Sequence, residues 1–112
     1  METEKSNIDN IKVINLTGRL DSFTIPASRK LLEEALVSQL PEIMVNMQSV
    51  TFIDSTALSA LVQALKKSRE LNGNLRLCCL PQPVRMIFEL TRLDKVFEIF
   101  PSEREAIQAF QE

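Results

Sequence analysis

The sequence predicts an α/β fold built on a partly parallel β-sheet. Segments rich in apolar and β-branched residues alternate along the chain with segments whose apolar residues recur at helical spacing. Such alternation is typical of βαβ units, in which right-handed crossovers connect parallel strands. The 112 residues fit one domain, residues 1–112, and 45% of them are hydrophobic and 25% charged, which is the balance of an ordinary globular protein.

The N-terminal third is predicted to contain a strand and a helix. Ile11 to Thr17 is rich in β-branched and apolar residues, which favours a strand, and Gly18 is expected to end it. Thr24 is a suitable N-cap for the next helix, since Pro26 is tolerated in a first turn. Pro41 is expected to stop this helix. Its apolar face consists of Leu31, Leu32, Ala35, Leu36 and Leu40.

The middle of the chain is predicted to contribute strands on both sides of a second helix. Ile43 to Met47 is expected to form a short buried strand, and an apolar strand segment from Val50 leads into Asp54. The helix begins at once and presents an apolar face of Leu58, Leu61, Val62 and Leu65. Asn72-Gly73 closes the helix, with Gly73 suited to the left-handed position. Leu75 to Leu80 is the next predicted strand.

The C-terminal third is predicted to hold two helices and a short strand. Pro81 and Pro83 mark a turn and a helix start. The apolar face of this helix consists of Val84, Ile87, Phe88 and Thr91. Val96 to Phe100 is expected to form a strand, and Ser102 with Glu105 forms a capping box for the last helix.

Charge and hydropathy argue against two classes of partner. The net charge is −2, and the densest basic cluster is Lys66, Lys67 and Arg69, whose position near a helix end is typical of solvated charges. No nucleic-acid partner is therefore predicted. No apolar run approaches about 18 residues, so no membrane insertion is predicted, and the polar N-terminus does not resemble a secretory leader.

Cys78 and Cys79 are adjacent in a predicted strand. Neighbouring strand residues point to opposite faces, so the thiols are not expected to pair, and one of them is expected to pack in the core. The chain has no His and no second cysteine pair. The sequence therefore predicts no metal site and no cofactor, and unpaired thiols fit the reducing cytoplasm.

The segment from Val50 to Leu58 places hydroxyl groups at the start of a helix. One interpretation is structural: Asp54, Ser55 or Thr56 caps the helix. The other makes Ser55 a nucleophile or a phosphoacceptor. A Ser–His–Asp triad is excluded because the chain lacks His, and two glycines are too few for a phosphate-binding loop. No catalytic residue is predicted, and the remaining class is a binding module rather than an enzyme.

Three segments carry a resemblance to a known family. They are Leu16 to Asp21, Val50 to Leu58 and Glu89 to Phe97. In order and spacing they resemble the STAS domains, and among them the stand-alone bacterial anti-sigma factor antagonists. The resemblance implies a mixed, mostly parallel sheet of four to five strands with about four helices packed against it.

The resemblance also implies a switching function. In that family a serine-kinase anti-sigma factor phosphorylates the serine after the aspartate, which is Ser55 here. The unphosphorylated antagonist binds the kinase and releases the sigma factor; phosphorylation ends binding, and a serine phosphatase resets the protein. The implied switch surface comprises Asp21, Asp54, Ser55, Thr56 and Ala57. Repulsion between the phosphate and the two aspartates fits this release.

Two residues depart from the family pattern, and one alternative function stays open. Ala57 replaces a usual glycine, and its methyl group is expected to narrow access for the kinase. Arg92 replaces a glycine in a left-handed helix cap, at a cost of about 1 kcal/mol.

The alternative function is that of a scaffold subunit, not phosphorylated, of a lipid-transport ATPase complex or a stress-signalling assembly.

Overall fold

The computed structural model describes residues 3–8, 11–37 and 42–111. Five strands and four α-helices lie within these ranges. The strands are β1 (Thr3–Ile8), β2 (Ile11–Leu20), β3 (Glu42–Ile53), β4 (Asn74–Cys78) and β5 (Glu98–Phe100). The helices are α1 (Ile25–Val37), α2 (Ser55–Glu70), α3 (Gln82–Leu90) and α4 (Glu103–Gln111), and a 3₁₀ turn spans Leu93–Lys95.

The sheet confirms the mixed, mostly parallel arrangement. Its strand order is β1-β2-β3-β4-β5, with β1 antiparallel to β2 and every other pair parallel. β1 was not predicted, because its sequence TEKSNI lacks an alternating apolar pattern. Backbone pairing with β2, which the sequence pattern does not report, is what makes this polar segment a strand.

β3 is one strand of 12 residues that includes both apolar segments of the sequence. It pairs with β2 over most of its length, but β4 pairs only with its first five residues, Glu42 to Asn46. Gly18 does not end β2 as expected. It adopts a φ of 76° beside a shift in register, and β2 continues to Leu20. The last residues of β2 and β3 therefore run together beyond β4.

Helices cover both faces of the sheet. On one face, α1, α2 and α3 pack on alternate strand residues such as Ile14, Val45 and Leu77. On the other face, α4 covers a smaller cluster that includes Met44, Cys78 and Ala106. The alternation of buried side chains along β2 and β3 follows from the two-residue period of a strand. The larger core lies beneath α2, the helix that begins at Ser55.

Several predicted element ends are shifted by residues in the left-handed conformation. Asn72, with φ 67°, takes the position that was expected for Gly73. Cys79, with φ 65°, ends β4 two residues early. The strand predicted from Val96 begins at Glu98, because residues 93–95 form the 3₁₀ turn. Arg92 has φ 64°, which confirms the left-handed cap.

Thr24 directly precedes Ile25, the first residue of α1, which is the N-cap position expected for it. The Thr24 hydroxyl accepts a hydrogen bond from the backbone N–H of Asp21 at 3.0 Å and donates to the carbonyl of Arg19 at 2.6 Å. Thr24 thus holds the turn in front of α1 together. Pro26 is the second residue of the helix, as expected, since its missing N–H has no partner to lose there.

Arg92→Gly tests the left-handed cap. Glycine removes the steric cost of positive φ, so the free energy of unfolding is expected to rise by about 0.5–1 kcal/mol. Urea denaturation provides the measurement. The matched control is Lys66→Gly in the exposed interior of α2, which is expected to lower the free energy of unfolding by about 1 kcal/mol. A decrease in both variants would contradict the interpretation of Arg92.

Candidate functional site

The residue that caps helix α2 is Asp54, and not Ser55 or Thr56. It is extended, with φ −109° and ψ −179°, and its Oδ1 accepts a hydrogen bond from the backbone N–H of Ala57 at 2.9 Å. The helix then begins at Ser55, so Ser55 and Thr56 are its first two residues. Asp54 is therefore the residue that caps α2, and Ser55 is not needed as a cap.

Asp54 also joins the ends of β2 and β3. Its backbone N–H donates to the carbonyl of Leu20 at 3.1 Å, and its Oδ2 accepts from the backbone N–H of Ser22 at 3.2 Å. The two oxygens of one carboxylate therefore bond two different segments. This places the loop from Asp21 to Thr24 directly beside the start of α2.

The hydroxyl groups of Ser55 and Thr56 are exposed at the helix start. Within the described part of the chain, neither side chain forms a hydrogen bond with another residue. Ser55 also lines an open groove of about 410 Å³. The other lining residues are Leu58, Ser59, Val62, Gln63, Lys66 and Leu93. The free backbone N–H groups of a helix start favour an anion at this position.

The methyl group of Ala57 does not narrow access to the serine, contrary to expectation. Ala57 is completely buried and packs in the larger core. The third position of α2 points inward because the helix lies with that face on the sheet, so the methyl group occupies core volume instead of the surface around Ser55.

Asp21 lies beside the site but its carboxylate is engaged within its own loop. Oδ1 accepts from the backbone N–H groups of Phe23 and Thr24 at 3.0 and 3.1 Å, and Oδ2 pairs with Arg19 Nε at 3.4 Å. Desolvation by burial raises the pKa of Asp21, but the hydrogen bonds from Thr24, Phe23 and Arg19 outweigh it, so the pKa lies below its ordinary value. The structure thus gives Asp21 a turn-forming position.

Two exposed residues beside the site were missed by the sequence analysis. Phe23 is 90% exposed, although the hydrogen bond from its N–H to Asp21 fixes its backbone. The guanidinium of Arg19 lies 4.2 Å from the ring centroid of Phe52, on the sheet face away from the larger core. The sequence signal for Phe23 is an apolar residue within a polar turn. The contact between Arg19 and Phe52 has no such signal, because it depends on the pairing of β2 with β3.

The cysteines differ from their predicted arrangement. Cys78 is buried, as expected for one of the pair, but the two Sγ atoms lie 3.2 Å apart without a disulfide. Cys79 leaves the strand with φ 65°, so its side chain turns back towards Cys78. Burial raises the pKa of Cys78, with a further contribution from the hydrogen bond with Cys79.

The described residues offer neither a cluster of common metal ligands nor a membrane-spanning helix. No three side chains of His, Cys, Asp or Glu within residues 11–37 and 42–110 cluster as a metal site. Over the same ranges, no helix is both long and apolar enough to cross a membrane.

Comparisons with known proteins agree on one family. The sequence model of the STAS domain family matches residues 2–106. A Listeria monocytogenes protein called anti-sigma-B factor antagonist is 29% identical over 99 residues, which cover 88% of this chain and 86% of that protein. Two similar solved structures share less than 25% identity with this chain and therefore support the fold alone.

The first structure is an anti-sigma factor antagonist from Mycobacterium paratuberculosis. It has a TM-score of 0.90 and 24% identity, with 99% of this chain and 94% of that chain covered. The second is the Bacillus cell fate determinant SpoIIAA in its phosphorylated form. It has a TM-score of 0.75 and 20% identity, with 96% of this chain and 98% of that chain covered.

Asp54→Ala tests the cap. Loss of the acceptor for the Ala57 N–H is expected to lower the free energy of unfolding by about 0.5–2 kcal/mol. Asp54→Asn is the comparison variant, because its one amide oxygen can still accept from the Ala57 N–H, whereas its NH2 group cannot accept from Ser22. It is therefore expected to lose less stability than Asp54→Ala, which removes both acceptors. Urea denaturation of both variants measures the difference. Equal losses would show that the bond from Ser22 or the carboxylate charge, and not the cap, stabilises this region.

Asp21→Asn tests the lowered pKa of Asp21. A carboxyl group whose folded pKa is lowered stabilises the fold above its unfolded pKa, and that contribution is lost as the pH falls through the folded pKa. The wild type is therefore expected to lose more stability than Asp21→Asn between about pH 5 and pH 2. Thermal unfolding across this range measures both proteins, and parallel pH profiles would contradict the prediction.

Proposed function

This chain belongs to the STAS domain family, and we propose that it is an anti-sigma factor antagonist switched by phosphorylation of Ser55. The unphosphorylated protein binds a serine-kinase anti-sigma factor in the cytoplasm and so releases the sigma factor. Phosphorylation of Ser55 by the kinase ends this binding, and a serine phosphatase restores it. The protein acts by binding and is not an enzyme.

The exposed, uncommitted hydroxyl of Ser55 is the observation that carries the proposal. Asp54 accepts the hydrogen bond from the backbone N–H of Ala57 at the helix start, so phosphorylation of Ser55 would not remove the cap. The position at the first residue of α2 also suits a phosphate, because backbone N–H groups and the helix dipole stabilise negative charge there. The fold can therefore accept the modification without refolding.

The names of similar proteins support the same proposal. The Listeria monocytogenes relative is called an anti-sigma-B factor antagonist, and the Mycobacterium paratuberculosis structure is an anti-sigma factor antagonist. The Bacillus structure records its protein in a phosphorylated form. Phosphorylation thus has a precedent in a protein of this fold.

Electrostatic repulsion accounts for the release step. A phosphate on Ser55 adds about −1.5 to −2 charges next to the carboxylate of Asp54. Asp21 adds a further negative charge in the adjoining loop, although Arg19 partly compensates it. A partner surface that accommodates the neutral hydroxyl then meets concentrated negative charge. A loss of about 3 kcal/mol weakens binding more than a hundredfold, which is enough to change occupancy.

Phe23 gives the partner an apolar anchor beside the switch. Its ring is 90% exposed, and its loop is bonded to Asp54 through Ser22. Exposed aromatic rings on ordered backbone are effective anchors, because little conformational entropy is lost when they enter a pocket. Phe23 therefore contributes to the affinity for the partner, while the phosphorylation state of Ser55 determines whether the partner binds.

Substitution of Ser55 tests the switch. Ser55→Ala is expected to bind the kinase with the wild-type affinity, and Ser55→Asp is expected to bind at least about tenfold more weakly, because a charge is introduced at the interface. Ser59→Asp is the matched control, since Ser59 is exposed one helical turn further along the same groove. Calorimetric titration with the purified kinase measures all three affinities. Equal affinities of Ser55→Ala and Ser55→Asp would favour the scaffold function instead.

Phosphate mapping tests the acceptor residue itself. Incubation with the kinase and ATP, followed by mass spectrometry, is expected to place one phosphate on Ser55. Thr56→Ala is expected to be modified normally, and Ser55→Ala not at all. Modification confined to Thr56 or Ser59 would overturn the assignment of Ser55.

A further inference from the structure

Two sulfur–sulfur contacts that share Cys78 lie beneath helix α4, on the sheet face away from the larger core. Cys79 Sγ lies 3.2 Å from Cys78 Sγ, which lies 3.3 Å from Met44 Sδ. Met44 and Cys78 are completely buried, whereas Cys79 is partly exposed. Neighbouring strands β3 and β4 bring the thioether to the thiols, and the left-handed backbone of Cys79 turns the second thiol inwards.

The cluster is reachable from solvent on one side. Cys79 lines a surface cavity of about 520 Å³ at the carboxyl ends of β4 and β5. The carboxylate of Glu103 lines the same cavity and accepts a hydrogen bond from Asn46 Nδ2 at 2.9 Å, so a negative charge is held at the entrance. A small cation can therefore approach Cys79 without passing through the core.

We propose that Met44, Cys78 and Cys79 form a binding site for a soft monovalent metal ion, Cu(I). Thiolate and thioether ligands select Cu(I) over harder cations, and the chain has no His that would favour other metals. With metal–sulfur bonds of about 2.3 Å, three sulfur ligands lie about 4 Å apart, so the contacts of Cys78 with Cys79 and with Met44, at 3.2 and 3.3 Å, must each open by less than about 1 Å. The flexible Met side chain and the cavity beside Cys79 allow this movement.

The metal site is separate from the switch at Ser55. In the pairing of β4 with β3, Cys78 lies opposite Asn46. Asp54 follows the end of β3, eight residues after Asn46. The sulfur atoms also belong to the cluster beneath α4, and α2 covers the opposite face. Metal binding can therefore be measured without a kinase, and its failure would leave the proposed function of Ser55 untouched.

The test is a competition for Cu(I) between the full, reduced chain and a chromophoric Cu(I) chelator under nitrogen. The wild type is expected to take up one equivalent. Met44→Leu is expected to bind at least about tenfold more weakly, because even the loss of an outer-shell partner costs about 10- to 100-fold in affinity. Met86→Leu is the matched control, since Met86 is exposed outside the cluster, and it is expected to bind as the wild type does.

X-ray absorption on the Cu(I) protein tests the ligand set. The spectrum is expected to show three sulfur neighbours in the wild type and two in Met44→Leu, a conservative change that preserves core volume. Cys79→Ser, at the edge of the cluster, is expected to lose the stoichiometric uptake. No uptake by the wild type, equal affinity of Met44→Leu and Met86→Leu, or two sulfur neighbours in the wild type would each overturn the site.

Discussion

The carboxylate of Asp54 is the interaction on which the organisation of the candidate site depends. One of its oxygens caps α2 through the N–H of Ala57, and the other holds the loop after β2 through the N–H of Ser22. Without the first bond the helix start lacks its acceptor, and without the second the loop of Phe23 is no longer tied to it. A single side chain thereby fixes the position of the hydroxyl that we propose as the phosphoacceptor.

The length of β3 explains why the site is exposed. β4 pairs only with the first five residues of this strand, so its second half extends beyond β4 and is paired with β2. The start of α2 consequently lies at an end of the sheet beside the loop from Asp21 to Thr24. The residues that we propose to contact a partner are thus on the surface, while the adjoining Leu20, Ile53 and Ala57 are part of the larger core.

The two faces of the sheet support different chemistry. The face beneath α1, α2 and α3 contains the larger apolar core, on which α2, the helix that begins at Ser55, is packed. The face beneath α4 has a smaller core in which sulfur atoms make up part of the packing. Because soft sulfur ligands are also good packing groups, the proposed Cu(I) site uses side chains that otherwise pack as an ordinary buried cluster.

The sequence by itself determined the alternation of strands and helices, the family, and the segment that contains Ser55. The alternation and the segment follow from local patterns, namely apolar periodicity, proline positions and an aspartate before two hydroxyl residues, whereas the family follows from the resemblance of three segments. Tertiary structure decided what depends on contacts between distant segments. Pairing with β2 made the polar β1 a strand, and packing of α2 on the sheet buried the methyl group of Ala57. The bond from Ser22 to Asp54 and the approach of Met44 to Cys78 likewise join residues 32 and 34 positions apart, which no local pattern reports.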